Sequence, residues 1–377
     1  MPRRAKTERV HPLRRTARDE WLLALSLATV GFFALAGAPL FEKLGDPFWF
    51  ALVFGWLFAV VATSALAVVR HADQLAEILG EPYGTLILTL SVTAIEVLSI
   101  SAVMLHGENN PTLVRDTLFS VVMIILGGMV GVSLLAGGFR HREQHYNLQG
   151  ANAYLGVIIP LAILTLSLPN FTVTTPGPTL STAQQVFLAV VAIGLYLVFL
   201  AIQTGRHRGY FTVAEPNHGD DRPARDEHGL VWHAVLLIAY ILPVVFLAEQ
   251  LAKPIDYVIE TLHMPTALGG IVIAVLVAAP EAIGATRAAL ANHLQRSINI
   301  FLGSVLSSIA LSVPIMLAVS YATAHPVHLG LDGANSVLLM ITLAVSVVTF
   351  ASGHTNILQG AVHIVLFAAF VMLIFQG

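Results

Sequence analysis

VLVAAPEAIG, residues 275–284, places a carboxylate, Glu281, directly after a proline and inside an apolar run that extends from Pro265 to Leu290. A run of this length can cross a bilayer as a helix. A carboxylate near the middle of such a helix is costly unless it is protonated, is paired with a partner or faces water. The stretch therefore predicts a membrane-spanning helix in which Glu281 has a functional role.

Similar apolar runs recur along the whole chain. Of its 377 residues, 56% are hydrophobic and only 11% are charged, which excludes an ordinary soluble domain. If each apolar run of about 20 residues is a spanning helix, the helices lie at 21–41, 48–69, 84–105, 116–139, 148–168, 183–204, 230–250, 265–290, 297–321, 334–352 and 357–376. We therefore predict an all-α polytopic membrane protein with 11 transmembrane helices, its main partner being the lipid bilayer.

The basic residues are distributed unequally between the two sides of the membrane. If the helices alternate in direction from a cytoplasmic amino terminus, only Lys43, Arg115 and Lys253 of the 19 Lys and Arg residues lie outside. Cytoplasmic loops carry such an excess of Lys and Arg. The distribution predicts a cytoplasmic amino terminus and an external carboxyl terminus.

Residues 1–20 form a basic tail, predicted to be cytoplasmic. The tail could bind anionic lipid or nucleic acid, but its charge is explained by orientation alone, so we expect no nucleic-acid partner. Together with the apolar run and Ala34-Leu35-Ala36, it also fits a cleaved secretory signal. The run continues to Phe41, which favours an uncleaved helix.

The longest polar stretch, residues 205–229, is predicted to be a cytoplasmic linker between two halves. Apart from an extra helix at 21–41, five predicted helices precede it (48–204) and five follow it (230–377). Because five is odd, the two halves are inverted with respect to each other. Inverted repeats of this kind are typical of secondary transporters.

Short sequence echoes support the division into halves. ADQLA at 72–76 resembles AEQLA at 248–252. Glu96 lies in the second helix of the first half, and Glu281 lies in the second helix of the second half. The echoes predict that each half contributes one carboxylate to a shared site.

Of the 22 acidic residues, only Glu96 and Glu281 lie near the centre of a predicted span, and no Lys or Arg lies at comparable depth. Protons, cations or water are then the available partners. A hard cation such as calcium takes six to eight oxygen ligands. The predicted supporting oxygens belong to the hydroxyls of Thr89, Thr93, Ser120, Ser304, Ser307 and Ser308 and to the backbone at Val92 and Val277.

A proline beside Glu281 and the bonding habits of hydroxyls both affect which oxygens are available. Pro280 has no N–H, so we expect it to break its helix and to free carbonyls near Leu276 and Val277. Serine and threonine in membrane helices also bond their own backbone or a neighbouring helix. That packing role stays an alternative for each hydroxyl.

Other kinds of function are less well supported. The chain has no cysteine, and the motifs H-E-x-x-H, G-x-S-x-G and G-x-x-x-x-G-K-[ST] do not occur. We therefore expect no enzyme activity, no ATP use and no cofactor. An intramembrane enzyme using the two glutamates as an acid/base pair, or a cation channel, stays an alternative.

LGEPYGTLILTLSVTAIEV (79–97) and PEAIGATRAALANHLQRSINIFLGSVL (280–306) resemble the bacterial ChaA-type cation/proton antiporters of the calcium/cation antiporter superfamily. The resemblance implies exchange of calcium, sodium or potassium for protons across the bacterial cytoplasmic membrane. It carries the paired repeat glutamates onto Glu96 and Glu281. The wider superfamily pattern G-N-A-x-E differs here, where Thr93 and Ala278 replace the asparagines and Ala282 replaces a histidine.

These observations lead to a mechanistic hypothesis. A carboxylate held away from water is costly as an anion, so Glu96 and Glu281 take up protons when no cation is bound. A cation displaces those protons. If only the loaded or protonated site reorients, alternating access couples the two fluxes. The sequence does not fix the preferred ion, the stoichiometry, the direction of transport or the oligomeric state.

Overall fold

The computed structural model describes residues 20–80, 83–106, 110–212 and 229–376. The predicted basic tail lies outside the described residues except for Glu20. Most of the predicted linker, residues 213–228, lies outside them as well. Nearly all the described residues are helical, so the prediction of an all-α protein is confirmed for this part of the chain.

Eleven helices follow one another along the described residues. They are α1 (Trp21–Phe41), α2 (Pro47–Leu79), α3 (Tyr83–His106), α4 (Leu113–His141), α5 (Leu148–Asn170), α6 (Thr182–Arg206), α7 (Leu230–Thr261), α8 (Ala267–Leu290), α9 (Leu294–Thr323), α10 (Gly333–Thr349) and α11 (Ile357–Gln376). Nine of these helices are long and apolar enough to cross a membrane. The other two, α3 and α10, contain shorter apolar stretches. The protein is therefore a multi-pass membrane protein.

Helix α2 is longer than the apolar run 48–69 that predicted it. Beyond residue 69 the chain is more polar, but buried residues still recur at helical spacing. They are His71, Ala72 and Leu75, which pack inside the protein. The helix ends at Gly80, whose φ of 66° is accessible to glycine without strain. This extension positions polar side chains of α2 beyond the apolar run.

The degree of burial separates central helices from peripheral ones. Within the apolar 18-residue stretch of each helix, 83% of the residues are buried in α4 and 78% in α9. The corresponding shares are 22% in α1, 28% in α6 and 17% in α11. Helix α8 packs against both α4 and α9, while α2 packs against α7, α3 and α1. The core is thus built around α4, α8 and α9, and the outer helices present apolar side chains as lipid-facing surfaces do.

Several helix connections meet on one side of the protein. Two short strands, β1 (Gln144–His145) and β2 (His354–Thr355), pair antiparallel and join the α4–α5 connection to the α10–α11 connection. The Gln144 side chain also donates to Asn292, between α8 and α9, at 3.0 Å. Asn147 donates to the Gly209 carbonyl, after α6, at 3.1 Å. We call this side the linker face.

Tyr146 fixes the strand pair to the helix ends. Its hydroxyl donates to the Thr349 carbonyl (3.4 Å) and accepts from the Gly353 N–H (3.1 Å). Burial raises the pKa of Tyr146 above the ordinary value of a tyrosine.

On the opposite face, other described connections between helices are joined to one another by backbone hydrogen bonds. The His328 N–H donates to the Pro111 carbonyl, and the Leu331 N–H donates to the Leu166 carbonyl, both at 2.8 Å. These bonds join the α9–α10 connection to the start of α4 and the end of α5. Helices that alternate in direction produce such a separation of connections between two faces.

Helix α8 is continuous from Ala267 to Leu290, so the prediction that Pro280 breaks it is wrong. A membrane helix can continue through a proline because neighbouring helices pack against it and satisfy the freed backbone groups. The carbonyl of Leu276, four residues earlier, still lacks its usual helical donor because Pro280 has no N–H. Helical geometry changes elsewhere, in π-helical segments of α4 (Met123–Met129), α5 (Ile163–Ser167), α6 (Ile202–Arg206), α7 (Tyr257–Thr261) and α9 (Ser308–Ser312).

Candidate functional site

Glu281 lies on α8 at the wall of a cavity of about 500 Å³. The side chain is half-buried, and one carboxylate oxygen accepts a hydrogen bond from the Ser304 hydroxyl of α9. Pro280, Gly284, Gly303 and Ser304 line the same part of the cavity. Glu281 is therefore open to a space large enough for a hydrated ion.

Glu96 lies on α3 and is only 1% exposed. Its Oε2 accepts a hydrogen bond from the Ser308 hydroxyl at 2.8 Å, while its Oε1 is buried without a hydrogen-bond partner. Ser308 is the first residue of the π-helical segment of α9. A wider helical turn changes the direction in which side chains point, and π segments often occur at functional sites.

The two glutamates meet at one helix. Ser304 and Ser308 are four residues apart on α9, so their hydroxyls lie on the same face, one turn from each other. One hydroxyl bonds Glu281 and the other bonds Glu96. The carboxyl groups are close enough to repel each other when both are ionised. A cation between them would remove that repulsion.

Unpaired oxygens surround Glu96. The hydroxyl oxygens of Thr93 and Ser312 are buried without hydrogen-bond partners, as is Glu96 Oε1. The Ser312 hydroxyl faces Glu96 without reaching hydrogen-bonding geometry. Buried polar atoms without partners are costly. An oxygen-only donor set of carboxylates and hydroxyls fits a hard cation.

The other predicted oxygens are distributed differently. Thr89 lies beside the Tyr196 hydroxyl on the cavity wall, and Ser307 also lines the cavity while donating to the Ser304 carbonyl at 3.0 Å. Ser120 donates to the backbone of its own helix, at Asp116 O (2.6 Å).

The backbone positions also differ from each other. Val92 lines the cavity, whereas Val277 is buried inside the continuous helix α8. The structure therefore places Thr89, Val92, Ser304 and Ser307 at the cavity and Thr93 and Ser308 around Glu96. It leaves Ser120 in a packing role.

The cavity extends from Glu281 to the linker face. Its outer part is lined by Asp73 of α2, Arg296 and Asn299 of α9, and Arg208 and Thr212 after α6. Four aromatic side chains also line the cavity, namely Tyr154, Tyr196, Phe199 and Phe211. Glu281 is thus reached from the linker face.

Sequence reasoning did not identify two features of this site. The π-helical segment of α9 carries the Ser308 hydroxyl that bonds Glu96, but nothing in the residues SSIALS marks a π-helical turn. Asp73 lies in the ADQLA echo, which suggested a repeat but gave no reason to place the carboxylate at a cavity. Among the described residues, no group of three His, Asp or Glu side chains is arranged to hold a metal, so hydroxyls, carbonyls or water would complete any ion coordination.

Comparison with known proteins adds to this geometry. The family model described as sodium/calcium exchanger protein matches residues 49–205 and again residues 232–376. The sodium-potassium/proton antiporter ChaA of Escherichia coli is 40% identical over 319 residues, covering 84% of this chain and 86% of that protein. A Ca²⁺/H⁺ antiporter of Synechocystis is 25% identical over 307 residues, covering 76% of this chain and 81% of that protein.

The fold is also that of a solved structure. Native YfkE matches with a TM-score of 0.72 at 19% identity, covering 94% of this chain and 100% of that one. At this identity the match concerns the fold alone. It shows that the arrangement of the described helices is one that a known protein adopts.

Proposed function

The chain belongs to the sodium/calcium exchanger protein family, and from this premise we propose that it is a secondary active antiporter. It exchanges Ca²⁺, Na⁺ or K⁺ for protons across the bacterial cytoplasmic membrane. The family consists of transporters rather than enzymes, which argues against the acid/base enzyme. The ions are substrates, and the proposal includes no cofactor.

One observation carries the proposal. Two carboxylates from separate halves of the chain, Glu96 and Glu281, are held by Ser308 and Ser304 on one face of α9. Unpaired buried oxygens lie beside Glu96, and a cavity reaches Glu281. Such a site has ligands for a cation or, equally, positions for protons.

Charge balance explains the exchange. Two ionised carboxylates neutralise one divalent cation, whereas a monovalent cation leaves one charge that a proton can neutralise. An empty site with two charges is costly to move through the membrane interior. Only the loaded or protonated site reorients readily, so cation and protons travel in opposite directions. On this reasoning one Ca²⁺ displaces two protons, and one Na⁺ or K⁺ displaces one.

The proposed architecture is an extra helix followed by two inverted five-helix repeats, with eleven membrane crossings. It is supported by the separate matches of one family model to residues 49–205 and 232–376. Arg140, Arg142 and Arg287 lie near the linker face, which supports a cytoplasmic linker face by the positive-inside rule.

Glu96→Gln and Glu281→Gln test the proposal. Each variant keeps the shape of the side chain but cannot exchange a proton for a cation. In everted membrane vesicles energised to be acidic inside, wild-type protein should release protons when Ca²⁺, Na⁺ or K⁺ is added, as followed by a pH-sensitive dye. Both variants should lose this response.

A matched control is Glu143→Gln, which changes an exposed carboxylate on the linker face outside the cavity lining. It should behave as wild type. Full activity in both glutamate variants would contradict the assignment of the site. Cation flux without proton movement would instead support the channel alternative.

A further inference from the structure

The outer part of the cavity carries an unusual set of charges for a cation pathway. Among its described lining residues, the cationic side chains are Arg208 and Arg296, and the carboxylates are Glu281 at the inner end and Asp73 at the outer end. The two guanidinium groups and the Asp73 carboxylate share this lining, so a cation that approaches Glu281 from the linker face moves in the field of all three. Asp73 is the acidic side chain on its way.

Asp73 and Arg296 act on each other electrostatically across this opening. Asp73 projects from the extension of α2, and Arg296 projects from the first turn of α9, so the two charges belong to different helices. Glu77, one turn after Asp73 on α2, also contributes to the field at Asp73. Within the described residues, no hydrogen bond holds the Asp73 carboxylate, so its contribution is mainly its charge.

Apolar walls strengthen such a field. Charges in a cleft with low-dielectric walls change the local concentration of ions. Without Asp73, the potential in the opening would be more positive and the local cation concentration would be lower. With Asp73, one of the two positive charges is offset.

We propose that Asp73 is a positioning residue that attracts substrate cations into the cavity and sets the apparent affinity from the linker face. The inference rests on the proposed antiport function and concerns its first step. Asp73 does not replace Glu96 and Glu281 as the exchange site. It offsets the positive charge of Arg296 at the opening of the cavity.

An electrostatic role has a quantitative consequence that a structural role lacks. The local concentration of an ion depends exponentially on its charge multiplied by the potential. Removing one charge about 10 Å from the path should change the concentration of a monovalent ion by about threefold. For a divalent ion the same change in potential acts twice, which gives about tenfold.

The experiment measures KM and Vmax for Na⁺ and for Ca²⁺ in everted vesicles, where the proposed cytoplasmic face is outside. Asp73→Asn should raise KM by about threefold for Na⁺ and about tenfold for Ca²⁺, with Vmax unchanged. Arg296→Gln should lower both KM values with the same dependence on ion charge. Asp73→Glu should restore wild-type KM, and Glu143→Gln serves as the control on the same face.

Raising the ionic strength should reduce all of these differences, because salt screens the field. Equal changes for Na⁺ and Ca²⁺, or a loss of Vmax at constant KM, would overturn the role of Asp73. If wild-type vesicles show no cation-dependent proton movement, the proposed function itself fails. If instead wild-type vesicles show antiport and Asp73→Asn has the wild-type KM values, only the role of Asp73 is overturned.

Discussion

Two serine hydroxyls of α9 determine how the glutamates are held. Ser304→Ala removes the donor to Glu281, and Ser308→Ala removes the donor to Glu96. A hydrogen bond to a charged group contributes about 1.5–3 kcal/mol, so we expect KM for the cation to rise about tenfold or more in each variant. Initial rates of dye response in vesicles, measured over a range of cation concentrations, would show it.

Ser120→Ala is the matched control for the serine variants. Ser120 follows Glu96 by 24 residues and Ser304 follows Glu281 by 23, which would make the two serines equivalent in a repeat, yet the Ser120 hydroxyl donates to the backbone of Asp116 at 2.6 Å. We expect its removal to change KM by less than about twofold, since a backbone-bonded hydroxyl contributes little to the site. Equally large effects of Ser120→Ala and Ser304→Ala would favour the symmetric arrangement over the one in the structure.

The residues of the site were predictable to different degrees. Glu96 and Glu281 stand out in the sequence because a charge in an apolar run has a large free-energy cost wherever the helix lies. A hydroxyl carries no such cost, since it can bond its own backbone. Whether Ser120 or Ser308 faces a glutamate therefore depends on helix packing, which a single sequence does not specify.

Helix α8 carries Glu281 and approaches α4 very closely. A Cβ at Gly270 would lie 2.6 Å from the Thr117 nitrogen and 2.7 Å from the Asp116 carbonyl carbon, both of them backbone atoms. Gly270→Ala should therefore push the helices apart and destabilise the protein by about 1–3 kcal/mol. A lower melting temperature of the protein in detergent would measure the effect.

The neighbouring glycine provides the control. A Cβ at Gly269 would meet the Ile255 and Leu113 side chains at 3.6 Å, an ordinary contact distance. Gly269→Ala should be neutral or stabilise the protein, because alanine loses less conformational entropy in a helix. Equal melting temperatures for Gly269→Ala and Gly270→Ala would contradict the close packing of α8 on α4.

At the level of elements, hydropathy predicted where the helices lie but not their internal geometry. The apolar run 21–41 coincides with α1, because lipid-facing helices need apolar side chains along their whole length. The break expected at Pro280 is absent, and π-helical segments occur in α4 and α9 instead. These features depend on contacts between helices, whereas hydropathy reports only the preference of each residue for lipid or water.

At the level of the whole molecule, the charge pattern and the chain connections describe the same two faces. The Lys and Arg residues assigned to the cytoplasm include Arg140, Arg142 and Arg296, which lie at or near the linker face. Lys43, Arg115 and Lys253, assigned to the outside, lie near the opposite ends of their helices. The cavity itself was not predictable, because its opening depends on how α2, α6 and α9 are arranged in this state.

The orientation of the whole molecule can be tested by labelling, since the natural chain has no cysteine and each introduced thiol would be unique. Ser352→Cys lies on the linker face, and Val173→Cys lies on the opposite face at a residue that is 99% exposed. In intact cells, a membrane-impermeant maleimide should label Val173→Cys at once and Ser352→Cys only after the membrane is permeabilised.

Ile300→Cys extends this test to the cavity. Ile300 lines the cavity beside Asn299 and Gly303, and the cavity extends to the linker face. Its thiol should therefore be labelled under the same conditions as that of Ser352→Cys. It should stay unlabelled in intact cells and react in everted vesicles. Labelling of Ile300→Cys from outside intact cells, with Val173→Cys still external, would mean that the site faces outward in the resting membrane. If Ser352→Cys is labelled in intact cells and Val173→Cys only after permeabilisation, the linker face is external, which would contradict the distribution of arginines.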